Sequence, residues 1–343
     1  MKLELPTCDD KPVWDTWLSV YHLPAIAVAD ELGIFSALKD RPGSGPELAE
    51  RLHFNERAVS ILLPLLAALD FLACRGGRYH ITDTTRNFLL GESEFYWGNL
   101  LGRVSANLPQ HEDLRNLIQG EGSRQSAVAG RGKRPVDGWE SGRIEPDQAR
   151  AIAAFMHSHS MAAAVGAARN GDFSGVTRLL DVGGGSGCFS IALAREYPEL
   201  KCTVMELPAM CEVAQEYVNA ANVQDRVDTI AVDMFRDTWP GEHDAVFFSN
   251  IFHDWDFDTC AELAAKAFSA LQPNGRVYLH EMLLDDDGAG PVAAATFSLV
   301  MLLGTWGRQF TYEQLKTILE NAGFSGVETM TTYSYYSLTS ARR

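Results

Sequence analysis

The sequence lacks the features that mark an exported or membrane-spanning chain. Its first ten residues, MKLELPTCDD, contain neither a basic start nor the apolar core of a signal peptide. The densest apolar run, ILLPLLAAL at 61–69, is too short to cross a bilayer and contains Pro64. The six cysteines form no C-x-x-C pair, so we expect free thiols in a reducing compartment. These absences predict a cytoplasmic protein without a membrane partner.

Positive charge is also scarce. The 343 residues include 45 acidic and 29 basic side chains, which gives a formal net charge of −16. Such a surface favours neither a nucleic acid nor an anionic membrane as a partner. Metal-binding patterns are weak as well: His157 and His159 are two apart on a predicted helix, and the run DDDG (285–288) is most simply a solvated loop. No metal cofactor is expected.

The first hundred residues are predicted to be mainly helical. AIAVADELGIFSAL (25–38) and ERAVSILLPLLAALDFL (56–72) repeat apolar residues at helical spacing, and RGGRYHIT (75–82) predicts a hairpin around a Gly-Gly turn. Helices followed by a hairpin are typical of a winged helix, which suggests DNA binding as one hypothesis. The candidate recognition helix has few cations and is mostly apolar, so an interface between subunits is favoured.

The second half of the chain alternates strands and helices, as a parallel α/β sheet does. The helical pattern at 311–322 is followed by extended pieces, which predict an antiparallel edge. The expected domains are residues 1–150 and 151–343, with a helix that begins at Pro146 bridging them. Strands are predicted at 178–183, 202–207, 228–233, 245–250 and 276–283.

A glycine-rich turn, DVGGGSG (181–187), follows the first of these strands. A turn of this kind brings backbone N–H groups close to a ligand at the start of the next helix. Glu206 ends the second strand, where its carboxylate can bind ribose hydroxyls. A dinucleotide fingerprint requires glycine where this chain has Cys188, and Asp181 would repel a pyrophosphate. A cationic ligand without phosphates is therefore favoured.

The succession of motifs resembles the S-adenosylmethionine-dependent methyltransferases. After DVGGGSG come MELP (205–208), VDMF (232–235), IFHDW (251–255) and LQPNGRV (271–277), in the order typical of the small-molecule O-methyltransferases of the plant caffeate and acetylserotonin type, which also have bacterial members. The N-terminal AVADELGIFSAL…ELAERL…YHIT resembles their dimerisation domain. This resemblance implies a Rossmann-like α/β domain whose seven-stranded sheet is mostly parallel with an antiparallel C-terminal edge. It also implies a winged-helix-like N-terminal domain that forms a homodimer.

The same resemblance implies how S-adenosylmethionine would be bound. Gly183 and Gly185 would lie against its methionine part, Glu206 would accept from the ribose hydroxyls, and Asp233 would accept from the adenine amino group. Several of the apolar residues in this set have core packing as their alternative role. Further cofactor contacts are implied for Ser160, Leu207, Met234, Phe235, Ser249 and Trp255.

Transfer of a methyl group to a phenol requires a base, because a phenol with a pKa of about 10 is mostly protonated at neutral pH. His253 follows a predicted strand at its ligand-facing end and can take this proton. Glu281, at the end of the next strand, matches the family's orienting carboxylate, while His280 alternates to the other face as a packing residue. Gln309 stands where relatives commonly have a second glutamate; its amide can hold an imidazole but adds no charge.

The aromatic acceptor is expected between the bridging helix and FSLVMLLGTW (297–306). The predicted function is methylation of a phenolic hydroxyl in secondary metabolism, such as antibiotic biosynthesis. Two hypotheses compete with it: a related enzyme that uses the cofactor for decarboxylation, hydroxylation or a pericyclic reaction, and a winged-helix regulator. Core packing is the alternative for the apolar members of the predicted acceptor site. That site comprises Met156, Asp254, Phe297, Met301, Thr305 and Trp306.

Overall fold

The computed structural model describes residues 11–107, 138–139 and 141–343. The chain divides into two compact units, Met1–Leu108 and Pro109–Arg343. The domain boundary at residues 150 and 151 stays a prediction. Within the described residues, no single helix has both the length and the apolar composition needed to cross a membrane, although the bent pair Trp14–Glu31 and Ile34–Asp40 reaches both criteria when taken together.

The first unit consists of short helices and one β-hairpin. The hairpin pairs Leu72 with Ile81 and Arg75 with Arg78, and its turn residues Gly76 and Gly77 both have positive φ. The predicted helices and Gly-Gly hairpin are thus confirmed. In chain order the elements are α1 (Lys11–Ser19), α2 (His22–Glu31), α3 (Ile34–Asp40), α4 (Gly45–Leu52), α5 (Glu56–Ala68), β1 (Leu72–Arg75), β2 (Arg78–Ile81), α6 (Asp83–Phe88) and α7 (Gly98–Ala106).

Polar side chains cap α4, α5 and α6, and apolar residues at helical spacing fill the core of this unit. Ser44 and Glu47 form a capping box at the start of α4, and the Asn55 side chain accepts from the Ala58 N–H at the start of α5. The apolar stripes of these helices face one another, which removes them from water. The buried core includes Ile34, Phe35, Leu38, Leu48, Leu63 and Leu66.

The second unit alternates helices and strands, with a short 3₁₀ turn at Phe252–Asp254. Long helix α8 precedes the sheet, and a two-stranded antiparallel extension ends the chain. The elements are α8 (Pro146–Asn170), β3 (Arg178–Val182), α9 (Cys188–Glu196), β4 (Lys201–Glu206), α10 (Pro208–Ala220), β5 (Val227–Ala231), β6 (His243–Ser249), α11 (Phe257–Ala270), β7 (Leu271–Met282), α12 (Val292–Gly304), α13 (Tyr312–Asn321), β8 (Ser325–Tyr333) and β9 (Tyr336–Arg342).

The sheet has seven strands in the order β5-β4-β3-β6-β7-β9-β8. The first five are parallel, β9 is antiparallel to β7, and β8 is antiparallel to β9. The predicted mostly parallel sheet with an antiparallel C-terminal edge is confirmed. Successive strands move outwards in one direction from β3 to β5 and in the other from β6 to β7, and the last strand, β9, lies between β7 and β8. This reversal creates a crevice at the carboxyl ends of β3 and its neighbours.

The core of this unit explains the near-continuous apolar runs of its central strands. Both faces of a parallel sheet are covered, so residues that point to either side are apolar. Val246 and Phe248 of β6 lie in one core cluster with residues of α11 and α13. Phe247, which points to the opposite face, packs against the ring of Phe173 at a centroid distance of 6.1 Å. The rigid strands therefore hold their carboxyl ends, and the loops that follow, in fixed positions.

Candidate functional site

The glycine turn after β3 has a backbone that glycine favours. Gly183, Gly185 and Gly187 have φ values of +66°, +57° and +73°. A Cβ atom on Gly183 would lie 2.5 Å from the Ile251 side chain, whereas one on Gly185 would stand in open space. Behind the turn, the buried Asp181 carboxylate accepts from Ser190 Oγ at 2.7 Å. The backbone of the turn is therefore accessible at Gly185, and the Asp181–Ser190 hydrogen bond lies behind it.

Glu206 ends β4 and is nearly buried beside this turn. Its Oε1 accepts from the Gly185 N–H at 3.2 Å, and its Oε2 accepts from the Leu207 N–H at 2.9 Å. Burial raises the pKa of Glu206 to about 7, although the two backbone donors oppose the shift. The side chain thus lies close to its ionisation point at neutral pH. Ligand hydroxyls that donate to it would favour the carboxylate.

The loop after β5 wraps around Asp233. Its Oδ1 accepts from the N–H groups of Phe235 and Arg236 at 2.9 and 3.2 Å, and its Oδ2 pairs with Arg236 Nη1 at 2.5 Å. Burial by itself would raise the pKa of Asp233. The Arg236 side chain and the two backbone donors lower this pKa by a larger amount, so its net shift is downward. Asp233 therefore stays ionised and fixes the shape of its own loop.

These three features surround a cavity of about 680 Å³, its open mouth included. On one side, the rings of Phe235 and Trp255 lie 4.7 Å apart at 75°. Eleven of the residues selected from the sequence line it: Met156, Gly183, Gly185, Glu206, Leu207, Asp233, Met234, Phe235, Ser249, Asp254 and Trp255.

Next to the cavity, His253 is held in the 3₁₀ turn that follows β6. Its Nδ1 lies 3.0 Å from Glu281 Oε2, and its Nε2 lies 3.8 Å from Oδ1 of Asp254, a cavity-lining residue. The other oxygen of Glu281 accepts from the N–H groups of Ile251 and Phe252 at 3.1 and 3.0 Å. One carboxylate therefore holds both the imidazole and the backbone of the turn that presents it.

The charges around His253 are set by burial and by its two carboxylate neighbours. Burial by itself lowers the pKa of His253, but Glu281 and then Asp254 raise it, and the net shift is upward. Burial raises the pKa of Asp254 to about 7, with His253 acting in the opposite direction. The arrangement can accept a proton on Nε2 and stabilise the resulting imidazolium.

Gln309 contacts the same ring nitrogen as Glu281. It is fully buried, its Nε2 lies 3.1 Å from His253 Nδ1, and its backbone N–H donates to Ser298 Oγ at 3.1 Å. Its Oε1 is buried without a hydrogen-bond partner among the described residues. Because the two ends of an amide exchange by a half-turn, Oε1 can face Nδ1 instead. That orientation suits a histidine whose Nδ1 carries a proton directed towards Glu281.

Other residues selected from the sequence lie outside the cavity wall. The ring of Phe297 meets that of His253 edge to face, at 5.3 Å and 89°. Thr305 is buried and donates to the Met301 carbonyl at 3.1 Å. Trp306 is partly exposed, and its backbone N–H donates to the Asp254 carbonyl at 3.0 Å. Buried residues that also do not line the cavity are Ser160, His253, Glu281, Met301 and Gln309.

His280 is a packing residue, as the strand alternation predicts. It is fully buried, with Nδ1 3.2 Å from Ser249 Oγ and Nε2 3.0 Å from Thr332 Oγ1. Burial lowers the pKa of His280 to about 3. It is therefore neutral at any pH at which the protein functions, and both of its nitrogens already have partners.

Sequence reasoning missed part of the cavity wall. Ile152 could have been found, because it lies one helical turn before Met156 on α8. Trp139 follows a Gly-, Ser- and Arg-rich stretch without periodicity, so no pattern distinguished it. The lining residues that were not selected are Trp139, Ile152, Met205, Met210, Val232, Asn250 and Ile251.

Comparison with known families identifies both parts of the chain. A model of the O-methyltransferase domain matches residues 112–325, and a model of the O-methyltransferase dimerisation domain matches residues 14–91. The chain belongs to the O-methyltransferase family. Its enzymes use S-adenosylmethionine as the methyl donor, and the family predicted from the sequence motifs is confirmed.

The similarity of this O-methyltransferase to individual relatives covers almost the full length of the chain. The 3-hydroxy-5-methyl-1-naphthoate 3-O-methyltransferase of Streptomyces sahachiroi is 34% identical, over 92% of this chain and 90% of the relative. The mitomycin biosynthesis 6-O-methyltransferase of Streptomyces lavendulae is 26% identical, over 92% and 88%. The structure of human N-acetylserotonin methyltransferase in complex with S-adenosylmethionine shares the fold, with a TM-score of 0.83, 21% identity and 99% coverage of both chains.

The cavity of the O-methyltransferase fits the methyl donor of its family. Glu206 and Asp233 are carboxylates in the cavity wall that can accept from ligand hydroxyl or amino groups, and the Phe235–Trp255 pair offers an aromatic surface. Asn250 lines the cavity, and its buried Oδ1 has no hydrogen-bond partner in the described part of the chain. Within that same part, no group of three or more His, Cys, Asp or Glu side chains is placed to hold a metal ion.

Proposed function

We propose that this O-methyltransferase methylates a phenolic hydroxyl of an aromatic small molecule, with His253 as the general base. The observation that carries the proposal is the contact of His253 Nδ1 with Glu281 at 3.0 Å, which leaves Nε2 beside cavity-lining Asp254. The hydroxynaphthoate named for the Streptomyces sahachiroi relative supports an acceptor of this class. The pathway is proposed to be one of secondary metabolism.

The proposed cofactor contacts follow the cavity wall. S-adenosylmethionine supplies an electrophilic methyl carbon on its sulfonium. Gly183 and Gly185 leave room for the methionine part, and Glu206 accepts from the ribose hydroxyls. Asp233 accepts from the adenine amino group, and the neighbouring apolar side chains cover the ring. Those side chains are Leu207, Met234, Phe235 and Trp255, with Ser249 at the edge.

The protein's part in the chemistry is to position the acceptor and remove its proton. A phenol with a pKa of about 10 has little phenolate at pH 7, so a base must take the proton as the oxygen attacks. His253 Nε2 receives it, and Glu281 at Nδ1 stabilises the cation that forms. Gln309 holds the same nitrogen by hydrogen bonding without adding a second negative charge. These roles make His253, Glu281 and Gln309 the proposed catalytic group.

The acceptor is proposed to lie between α8 and α12, next to His253. Met156 and Asp254 line the cavity, and Phe297 packs against the imidazole edge to face. Such aromatic and apolar surfaces suit a planar ring. Met301, Thr305 and Trp306, at or just after the end of α12, remain part of the proposal; the backbone N–H of Trp306 donates to the Asp254 carbonyl, and Thr305 donates to the Met301 carbonyl. Ser160 remains a proposed cofactor contact although it does not line the cavity.

The assembly is proposed to be a homodimer formed through the N-terminal domain, residues 1–150, with the catalytic domain at 151–343. The chain carries the family's dimerisation domain at residues 14–91. Large apolar side chains of this region are exposed, which supports a protein partner for that surface. They include Trp14, Trp17, Tyr21, Val28, Leu32 and Ile61. A cytoplasmic location, without nucleic-acid or membrane partners, completes the proposal and accords with the net charge of −16.

The decisive experiment uses methyl-labelled S-adenosylmethionine and a panel of hydroxylated naphthoates, quinones and simple phenols. We expect mass spectrometry to detect a labelled product, and NMR of that product to place the methyl group on a phenolic oxygen. Absence of any labelled product, while the cofactor binds, would reject the proposed acceptor class. A methyl group on carbon would reject the proposed reaction at oxygen.

The base is tested with His253→Ala on the acceptor found in that screen. Turnover should fall by about 100-fold or more, since a positioned base contributes about 10²–10⁴. Cofactor affinity, measured by calorimetry, should stay within about twofold because His253 does not line the cavity. Retained turnover would show that His253 serves packing alone.

A further inference from the structure

A single lysine holds the loop that follows β5 from behind. Lys266, on α11, donates from Nζ to the carbonyl oxygens of Met234 at 2.8 Å, Phe235 at 2.6 Å and Asp237 at 3.3 Å. An ammonium has three N–H donors, and these carbonyls match all three. Trp239 donates its indole N–H to the same Met234 oxygen at 2.9 Å. Four hydrogen bonds thus converge on a short stretch of backbone.

The charge of Lys266 is directed at the loop carbonyls. Among the described residues, Lys266 forms no ion pair with a carboxylate. Its ammonium also lies 5.9 Å from the ring of Trp239, and its stem is partly buried. Hydrogen bonds from a charged donor are stronger than neutral ones, and unpaired carbonyls in this half-buried position are costly. Lys266 therefore anchors the loop to α11, while Asp233 fixes the turn within the loop.

This loop and the helix that carries Lys266 border the same part of the cavity. Met234 and Phe235 line the cavity from the loop, while Trp255 lines it from just before α11. The rings of Phe235 and Trp255 are 4.7 Å apart. Because α11 is a continuous helix from Phe257 to Ala270, the lysine fixes the loop relative to Trp255. The width of the aromatic side of the cavity depends on this connection.

We propose that Lys266 is a positioning residue for the adenine ring, acting through the backbone of residues 233–237. It sets the spacing between Met234, Phe235 and Trp255, and it keeps the Asp233 carboxylate where the adenine amino group requires an acceptor. The inference rests on the cofactor contacts of the proposed function. It assigns the recognition of the base, as distinct from the rest of the cofactor, to a lysine that does not line the cavity.

The test is Lys266→Met, which keeps an apolar stem beside Trp239 and removes the three donors. Affinities are measured by calorimetry for S-adenosylhomocysteine and for S-inosylhomocysteine, whose base has a carbonyl in place of the amino group. We expect the affinity for S-adenosylhomocysteine to fall about tenfold, with the preference over the inosine analogue reduced towards one. At saturating cofactor, kcat should change by less than about twofold, because the base of the reaction is untouched.

Lys201→Met is the matched control, since Lys201 is exposed at the amino end of β4, the end of the sheet away from the cavity. It should leave both affinities unchanged. Lys266→Gln, which retains two donors on a shorter stem, should give an intermediate loss and serves if the methionine variant does not fold. Unchanged affinities, or an equal loss for both ligands, would overturn the role of Lys266. A wild-type chain that binds neither ligand would instead overturn the proposed cofactor site, and this role with it.

Discussion

Gln309 leaves Glu281 as the negatively charged neighbour of His253 at Nδ1. The amide lies 3.1 Å from Nδ1, and Glu281 lies 3.0 Å from the same atom. Both contacts restrain the ring, but only the carboxylate favours its protonated form. The base is therefore easier to deprotonate than it would be with a carboxylate at position 309. This difference affects the pH at which the enzyme becomes active.

Gln309→Glu should move the acid limb of the pH–rate profile to higher pH. A second carboxylate raises the pKa of His253 beyond its already raised value, and the base accepts a proton only when neutral. The limb should shift by about one pH unit, so the rate falls at pH 7 and recovers above it. The measurement is kcat against pH for both enzymes. Gln224→Glu, at an exposed site, is the control; a limb that stays or moves to lower pH contradicts the prediction.

The sequence predicts the position of a site residue where that residue lies at the carboxyl end of a strand. Glu206 and Glu281 both stand at or next to the last residue of a strand, so the parallel sheet brought them to one crevice. The role of Trp139 was not predictable, because contacts made by irregular segments depend on the folded path of the chain. The contact of Gln309 with His253 followed from resemblance to relatives and not from any periodic pattern. Short-range pattern thus identified the carboxylates, and tertiary geometry was needed for the remainder.

Helix α11 connects the reactive turn to the cofactor loop. It begins immediately after Asp256, follows the 3₁₀ turn that holds His253, and carries Lys266 near its other end. Asp256 accepts from the Thr259 N–H at 2.9 Å and so caps the helix. The start of this helix is consequently fixed beside Trp255.

Asp256→Ala should lower the free energy of unfolding by about 1 kcal/mol, because the first turn of α11 loses an acceptor for one of its free N–H groups. Chemical denaturation of the two proteins gives this difference. Asp256→Asn should lose much less, since asparagine caps helices about as well as aspartate. If the asparagine variant is as unstable as the alanine variant, the loss comes from charge and not from capping.

The bounds of the strands show where local pattern was sufficient. The predicted core of each parallel strand was found, because consecutive apolar residues mark a strand covered on both faces. β7 begins at Leu271, five residues before the predicted start at residue 276, because Leu271 pairs with His243 across an irregular register. Pro273 and Gly275 concealed that extension. β5 ends at Ala231, and the Asp233 carboxylate then folds the chain into a turn.

The molecule as a whole buries carboxyl and imidazole groups whose shifted pKa values have opposite effects on stability as pH changes. Burial raises the pKa of Glu206 to about 7 and that of Asp181 to about 6. The stability contributed by a raised carboxyl pKa is present below the unfolded value of about 4 and is lost as pH rises through the folded value. Burial lowers the pKa of His157 to about 4 and that of His280 to about 3. Their contribution is present above the unfolded value of about 6.5 and is lost as pH falls below it.

These opposing effects predict that the ligand-free protein is most stable near pH 6.5. Between pH 8 and 6.5 the folded protein takes up protons on Glu206 and on His253, whose pKa values are both raised, so Tm should rise as pH falls. Below that range the histidines counteract the gain. Thermal unfolding at constant ionic strength measures the profile. Glu206→Gln should flatten the rise between pH 8 and 6.5, and a wild-type Tm that falls across this window would contradict the assignment.

The two oxygens of Glu281 perform different tasks, and this separation restricts how the enzyme can be altered. One oxygen holds the N–H groups of Ile251 and Phe252, and the other faces His253. Any replacement of Glu281 therefore changes the shape of the turn together with the charge on the base. The Gln309 side chain, in contrast, contacts the imidazole through its amide and holds no backbone N–H group of the turn among the described residues. We therefore expect variants that act on acceptors of different acidity to differ at position 309 and to keep Glu281. This applies to natural selection and to a mutant library alike.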